Sequence, residues 1–170
     1  MPGGEYPTEE ARKFVEAILS LFDGKYGFKV DETSYEGGEA ATVKVGEKKI
    51  IRFDILMSKR EGGSLSGEHY YCEAKWRADI GDLKKQFKDF LAKSRLVMDH
   101  AKRRFDDRFG FLFFANLHFG ITNSELRNPD KFKELVDDSS ATSTELRNLS
   151  DKITIVTLED WLLANLTEER

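Results

Sequence analysis

Apolar residues recur at helical spacing through Ala11, Phe14, Ile18, Leu21 and Phe22. Thr8 can cap this helix, Glu9 and Glu10 suit its first turn, and Asp23-Gly24 stops it. Strand-like pieces follow at Tyr26–Val30 and Ala41–Val45, parted by Gly37-Gly38. Gly46-Glu47-Lys48-Lys49 reads as a hairpin turn into a strand over Ile50–Met57. Ser58–Gly67 is a polar loop, and Tyr70–Trp76 a further strand. A long helix is expected over Asp82–Arg104, with Leu83, Phe87, Phe90, Leu91, Val97 and Ala101 on its apolar side. Phe111–Ala115 is a continuous apolar run, the pattern of a strand covered on both faces. A polar region from Asn123 has helical character at Asp130–Val136. Ile153–Thr157 is the last strand, and Leu158–Leu166 a closing helix.

The order predicts an α/β fold: antiparallel strands, then βα units, in a mixed sheet with helices on both faces. At 170 residues, with no break in composition and no internal repeat, residues 1–170 read as a single domain. A hydrophobic fraction of 39% with 13 Phe allows a sizeable core. No apolar run reaches membrane-spanning length, and Met1-Pro2-Gly3-Gly4-Glu5 lacks the features of a signal peptide. The single cysteine, Cys72, suits a reducing, cytoplasmic setting. With a net charge of −4, any role in nucleic-acid binding must rest on a local patch.

Chemistry enters where charge interrupts the apolar strands. Asp54 lies in the Ile50–Met57 run, and Glu73 and Lys75 lie in Tyr70–Trp76. Alternation puts Glu73 and Lys75 on one face and Cys72, Ala74 and Trp76 on the other. The acid-x-lysine pattern occurs three times, at Glu47, Glu73 and Asp82, but only Glu73-Ala74-Lys75 has strand context and an upstream aspartate. On neighbouring strands about 4.8 Å apart, Asp54 and Glu73 can converge. Two adjacent carboxylates repel unless a cation lies between them, and oxygen donors of this kind suit Mg²⁺ or Mn²⁺. The alternative is a cross-strand ion pair at a sheet edge, worth a few tenths of a kcal/mol to ~1.

Asp54, then Glu73-Ala74-Lys75, then a helix, resembles the PD-(D/E)xK nuclease superfamily and its restriction-endonuclease-like fold. Phe14–Leu19 with Gly27–Val30 resembles the first helix and strand of the branch related to methyl-directed restriction enzymes. Gln86-Phe87-Lys88-Asp89-Phe90 resembles the Gln-x-x-x-aromatic element of the helix after the motif. Phe53 replaces the usual proline before the aspartate, and Glu16 lies one residue further from Phe14 than the usual helix glutamate, so Glu9, Glu10 and Glu39 remain substitutes for it.

The resemblance implies an αβββαβ core with a terminal strand and helix, and a Mg²⁺- or Mn²⁺-dependent DNA endonuclease of restriction, phage defence or repair. It implies Asp54, Glu73, the Ala74 carbonyl and Glu16 as metal ligands, Lys75 polarising water, and Gln86 in support. One centre cuts one strand, so double-strand cleavage calls for a homodimer or a place in a larger assembly. RNA remains open as substrate, and so does a nuclease-fold module that binds nucleic acid or a partner protein without hydrolysis.

The expected helix over Asp82–Arg104 has eight basic residues against three acidic ones. With Arg77 before it, it is the expected phosphate-contacting surface, through Lys84, Lys85, Lys88 and Lys93. A solvated helix face fits the same pattern. His69, His100 and His118 lack metal-ligand spacing. Cys72 reads as a buried small hydrophobe, and Trp76 as a core anchor before a base-stacking residue.

Overall fold

Every residue of Phe109–Ala115 is buried, and that strand is the axis on which the fold is built. The structure, a computed structural model, describes residues 13–18, 28–33, 41–59 and 68–159 of the 170 in the chain. Residues 13–18 are helical (α1). Among the described residues seven strands follow: β1 Phe28–Thr33, β2 Thr42–Val45, β3 Lys49–Arg52, β4 Ile55–Lys59, β5 His69–Lys75, β6 Phe109–Ala115 and β7 Ile153–Thr157. Between β5 and β6 runs α2, Ile80–Phe105, and between β6 and β7 lie α3 Asn123–Leu126, α4 Pro129–Val136 and α5 Ser143–Ser150. The expected cap at Thr8, the loop beyond residue 59 and most of the closing helix fall outside the described residues.

Five strands form one mixed sheet in the order β1-β4-β5-β6-β7. β1, β4 and β5 pair antiparallel; β5, β6 and β7 pair parallel. The α/β expectation therefore holds at the level of a mixed sheet with helices on both faces. Alternation along β6 divides its side chains between two cores. Phe109, Phe111 and Phe113 join Leu83, Phe87 and Phe90 of α2. Leu112 and Phe114 join Phe14, Val15 and Ile18 of α1, together with Ile55, Met57, Cys72 and Ala74. Each such fully buried side chain contributes roughly 1.5–3 kcal/mol.

α2 is 26 residues long and starts earlier than its apolar periodicity suggests, because Asp79 caps it. The Asp79 carboxylate accepts from the N–H groups of Gly81, at 2.6 Å, and Asp82, at 3.2 Å. The buried face, Leu83, Phe87, Phe90, Leu91, Ser94, Val97 and Ala101, keeps the helical period. No helix among the described residues is long and apolar enough to cross a membrane. The polar region after β6 holds three short helices where the pattern suggested one. Thr122, Asn128 and Thr142 cap them through side-chain oxygens.

One expectation is corrected at the site itself. Ile50–Met57 is not one strand but two, β3 and β4, in different sheets. β3 pairs with β2 in a separate hairpin, and β4 belongs to the main sheet. Ile51 and Phe53 face the α2 core, and so does Leu56, so the alternation slips by one residue at Asp54. Phe53 drives the slip. It is fully buried against Tyr71, Phe90 and Phe111, while its N–H still bonds the Ala41 carbonyl at 2.9 Å. Asp54 is left at the bend between the sheets, with its side chain free of strand alternation.

Candidate active site

The β4–β5 register runs from Ser58↔His69 to Ile55↔Cys72, so the next step of the ladder sets Asp54 opposite Glu73. Instead of continuing the ladder, Asp54 uses its side chain: Oδ2 accepts the Ala74 N–H at 2.9 Å. Glu73 is 3% exposed on the α2 face of the sheet. Its Oε2 lies 3.4 Å from Lys75 Nζ, and its Oε1 takes an ion-paired hydrogen bond from Lys93 of α2. The Lys93 ammonium also sits 5.2 Å from the centroid of the Phe53 ring. Two carboxylates and two ammonium groups thus share one partly dry corner, at the carboxyl end of β5 where it runs parallel to β6.

Burial, and then the facing Glu73 carboxylate, raise the Asp54 pKa from 3.8 to about 7, against the pull of Lys75 and of the Ala74 N–H. Cys72, on the opposite face, is fully buried, and burial pushes its thiol well above the ordinary range, with Asp54 and Glu73 adding to the effect. A thiol held protonated in an apolar core is no nucleophile, as the alternation implied.

The strand exit after Lys75 is held by a residue the sequence did not single out. Asn116, buried just past β6, accepts the Arg77 N–H through Oδ1 at 3.0 Å and donates from Nδ2 to the Arg77 carbonyl at 2.9 Å. Its only signal was a lone amide directly after an apolar strand. The Asn116 N–H also reaches the Lys75 carbonyl at 3.4 Å, on the β6 side. Successive strand residues point their backbone groups to opposite edges, so the Ala74 carbonyl faces the β4 side, with its N–H and Asp54. That places the Ala74 oxygen on the Asp54 edge.

Carboxylate and carbonyl oxygens are the donors that a small hard cation takes. Two carboxylates and a carbonyl leave positions for water and substrate, which is how Mg²⁺ is commonly held. Among the described residues no cluster of three or more His, Cys, Asp or Glu side chains forms a metal site, and Glu16 is exposed on α1. The three histidines stay apart: His69 stacks on Phe105 at 3.9 Å, His118 lies 3.3 Å from Glu159, and His100 is half-buried on α2.

Gln86 is half-buried on α2, two turns before Lys93 and on the same stripe. The basic positions of α2 do not form one strip. Lys93 turns inward to Glu73, and Arg95 is bound by Glu145, at 2.7 Å, and by Asp138. Lys84, Lys85 and Lys88 are exposed near the start of the helix, and Lys102 and Arg103 near its end, about 26 Å from Lys85. Arg77 pairs with Asp82 at 2.8 Å. Trp76 forms a T-shaped pair with Phe14, 5.4 Å between centroids, and remains 37% exposed.

No protein-family model matches the chain, and no curated protein matches it.

Proposed function

We propose that this protein is a Mg²⁺- or Mn²⁺-dependent DNA endonuclease of the PD-(D/E)xK type, with a restriction-endonuclease-like sheet. One observation carries the reading: Asp54, just before β4, interacts with Glu73 of β5, with Lys75 on Glu73 and the Ala74 N–H on Asp54. The sequential order α1, β1, β4, β5, α2, β6, β7 agrees with an αβββαβ core and a terminal strand, β2–β3 being a hairpin inserted before the aspartate.

Asp54, Glu73 and the Ala74 carbonyl would hold the metal ion, with Glu16 as a further candidate. When bound, the ion supplies a Lewis acid for the phosphoryl oxygens and lowers the pKa of its water. Lys75 would hydrogen-bond the attacking water and stabilise charge developing on the phosphate. Gln86 lies along the stripe that leads into the corner, and Lys84, Lys85 and Lys88 present exposed charge for the backbone of DNA. Asn116 keeps the Lys75–Arg77 segment from shifting.

A second reading, a nuclease-fold module that binds nucleic acid or a partner protein without cutting, draws support from Lys93, whose ammonium already neutralises Glu73. Plasmid nicking in Mg²⁺ or Mn²⁺ separates the two. Wild type converts supercoiled plasmid to nicked circles, while Asp54→Ala and Lys75→Ala lose at least about 100-fold. Equal cutting by all three sinks the assignment. No Mn²⁺ heat in calorimetry, with DNA binding intact, favours the binding module.

A further inference from the structure

We infer that the outer face of the β2–β3 hairpin is a grip for the sugar–phosphate backbone of duplex DNA, flanking the Asp54 corner. The hairpin buries one face and leaves the other open. Val43 and Ile51, directly paired across it, belong to the α2 core. The outward pairs are Thr42↔Arg52 and Lys44↔Ile50. Arg52 and Lys44 are exposed on this face, Lys48 is exposed in the turn, and Lys49, paired with Val45 on the Val43–Ile51 side, is exposed at the hairpin's end.

Across residues 42–52 there are four cations against one acid, Glu47, in a chain whose net charge is −4. None of the four cations has an ion-pair partner among the described residues. On α2, by comparison, Lys93 and Arg95 are bound by carboxylates, while Lys84, Lys85 and Lys88 are exposed. Ile50, between Lys44 and Arg52 on the same face, is 58% exposed, the highest value among the exposed large hydrophobic side chains of the described residues. A polyanion with apolar sugar edges complements a face of this composition.

Position makes the grip useful. The hairpin is covalently joined to the site, Arg52 lying two residues before Asp54 and Lys48 six. At about 3.3 Å per extended residue these cations lie roughly 7 to 20 Å along the chain from Asp54. Phosphates of one strand advance about 3.4 Å along the duplex axis, so that reach covers about two to six nucleotides from the bond at the metal corner. Gly46 makes the turn at a φ of +67°, and no other group lies within 4 Å of where a Cβ would stand, so the tip is slim and open.

The inference rests on the reading that DNA is the substrate, and its test is chosen to separate the two. Anisotropy of a labelled 20-base-pair duplex is followed against salt, in EDTA and in Ca²⁺, for the full chain. The pairs Lys44→Gln/Arg52→Gln and Lys48→Gln/Lys49→Gln each weaken binding about tenfold or more and reduce the slope of log K against log salt by about 2. The pair Lys131→Gln/Lys133→Gln, on α4, changes neither by as much. Ile50→Ser weakens binding without changing the slope. Circular dichroism melts confirm that each variant is folded.

If the hairpin pairs behave like the α4 pair while wild type binds DNA, the grip is overturned and the nuclease reading stands on its nicking result. If wild type binds no duplex at any salt, the grip and DNA as substrate fall together. Tighter binding to anionic phosphatidylserine vesicles than to DNA overturns the grip in favour of a membrane surface.

Discussion

The Lys93 ammonium of α2 is bonded to the buried Glu73 carboxylate of β5, and it does so from above the Phe53 ring. The pair ties the long helix to the strand that carries the candidate motif. Removing the cation leaves Lys75, 3.4 Å from the other oxygen, to balance a carboxylate that is 3% exposed. Lys93→Ala should therefore destabilise the metal-free protein by about 1.5–3 kcal/mol in urea unfolding, the range for losing one hydrogen bond to a charged group. Under the metal-site reading, Mn²⁺ should restore part of the loss, because the ion supplies the missing positive charge. Restoration by Mn²⁺ but not by equal ionic strength of NaCl is the expected pattern.

Asp54 predicts a pH dependence of the opposite sign to that of an ordinary paired carboxylate. Its pKa is raised from 3.8 to about 7 by burial and by Glu73, so the folded protein holds a proton that the unfolded chain releases. Between those two values the unfolded state binds fewer protons, and stability falls as pH rises. The contribution is fully present below the unfolded value and gone above about 7. In EDTA, the wild-type urea midpoint should decline between pH 4 and 7 more steeply than that of Asp54→Asn. Matching slopes for the two proteins would rule out this assignment.

Asn116 makes two hydrogen bonds to the backbone of Arg77, and both should be visible in a single substitution. Asn116→Ala removes both part-buried bonds to the Arg77 backbone, at a cost of about 1–3 kcal/mol. Under the nuclease reading it also loosens Lys75, lowering nicking by about tenfold, a fraction of the loss for Lys75→Ala. Hydrogen exchange at the Arg77 amide, faster in the variant, reports the local loosening independently of activity.

Phe53 should matter more than a residue at the end of a short strand ordinarily does. It is fully buried and touches Tyr71, Phe90 and Phe111. Phe53→Ala should cost about 3–5 kcal/mol, with Phe53→Leu much milder. Because the same residue sets the slip at Asp54, under the metal-site reading Phe53→Leu should keep the fold while weakening Mn²⁺ binding measured by calorimetry.

Much of this protein is legible locally. β6 declares itself as a run of apolar residues, α2 through a stripe at helical period, and β7 through alternation around Ile153 and Ile155. The mixed sheet follows from the order of these elements. The short helices α3 and α5 are not legible, because eight residues or fewer carry little periodicity and rely on the caps Thr122 and Thr142. The division of Ile50–Met57 is hidden for another reason: an apolar run is compatible with one strand or two, and only the partners on each side choose.

The candidate site divides along the same line. Alternation within one strand is a property of local backbone geometry, so the shared face of Glu73 and Lys75 and the separate fate of Cys72 could be read from residue order alone. The strand context also singled out Glu73-Ala74-Lys75 among three similar motifs. What the tertiary structure decided were relations between segments far apart in the chain: Asp54 released from strand alternation by the burial of Phe53, Lys93 turned inward onto Glu73 and away from solvent, and Asn116 fastened to Arg77. Sequence order carries no distance across such gaps, and a lysine on a helix looks the same whether it meets water or a buried carboxylate. Packing alone makes that choice, because a charge sealed from water must find its counter-charge wherever the fold brings one.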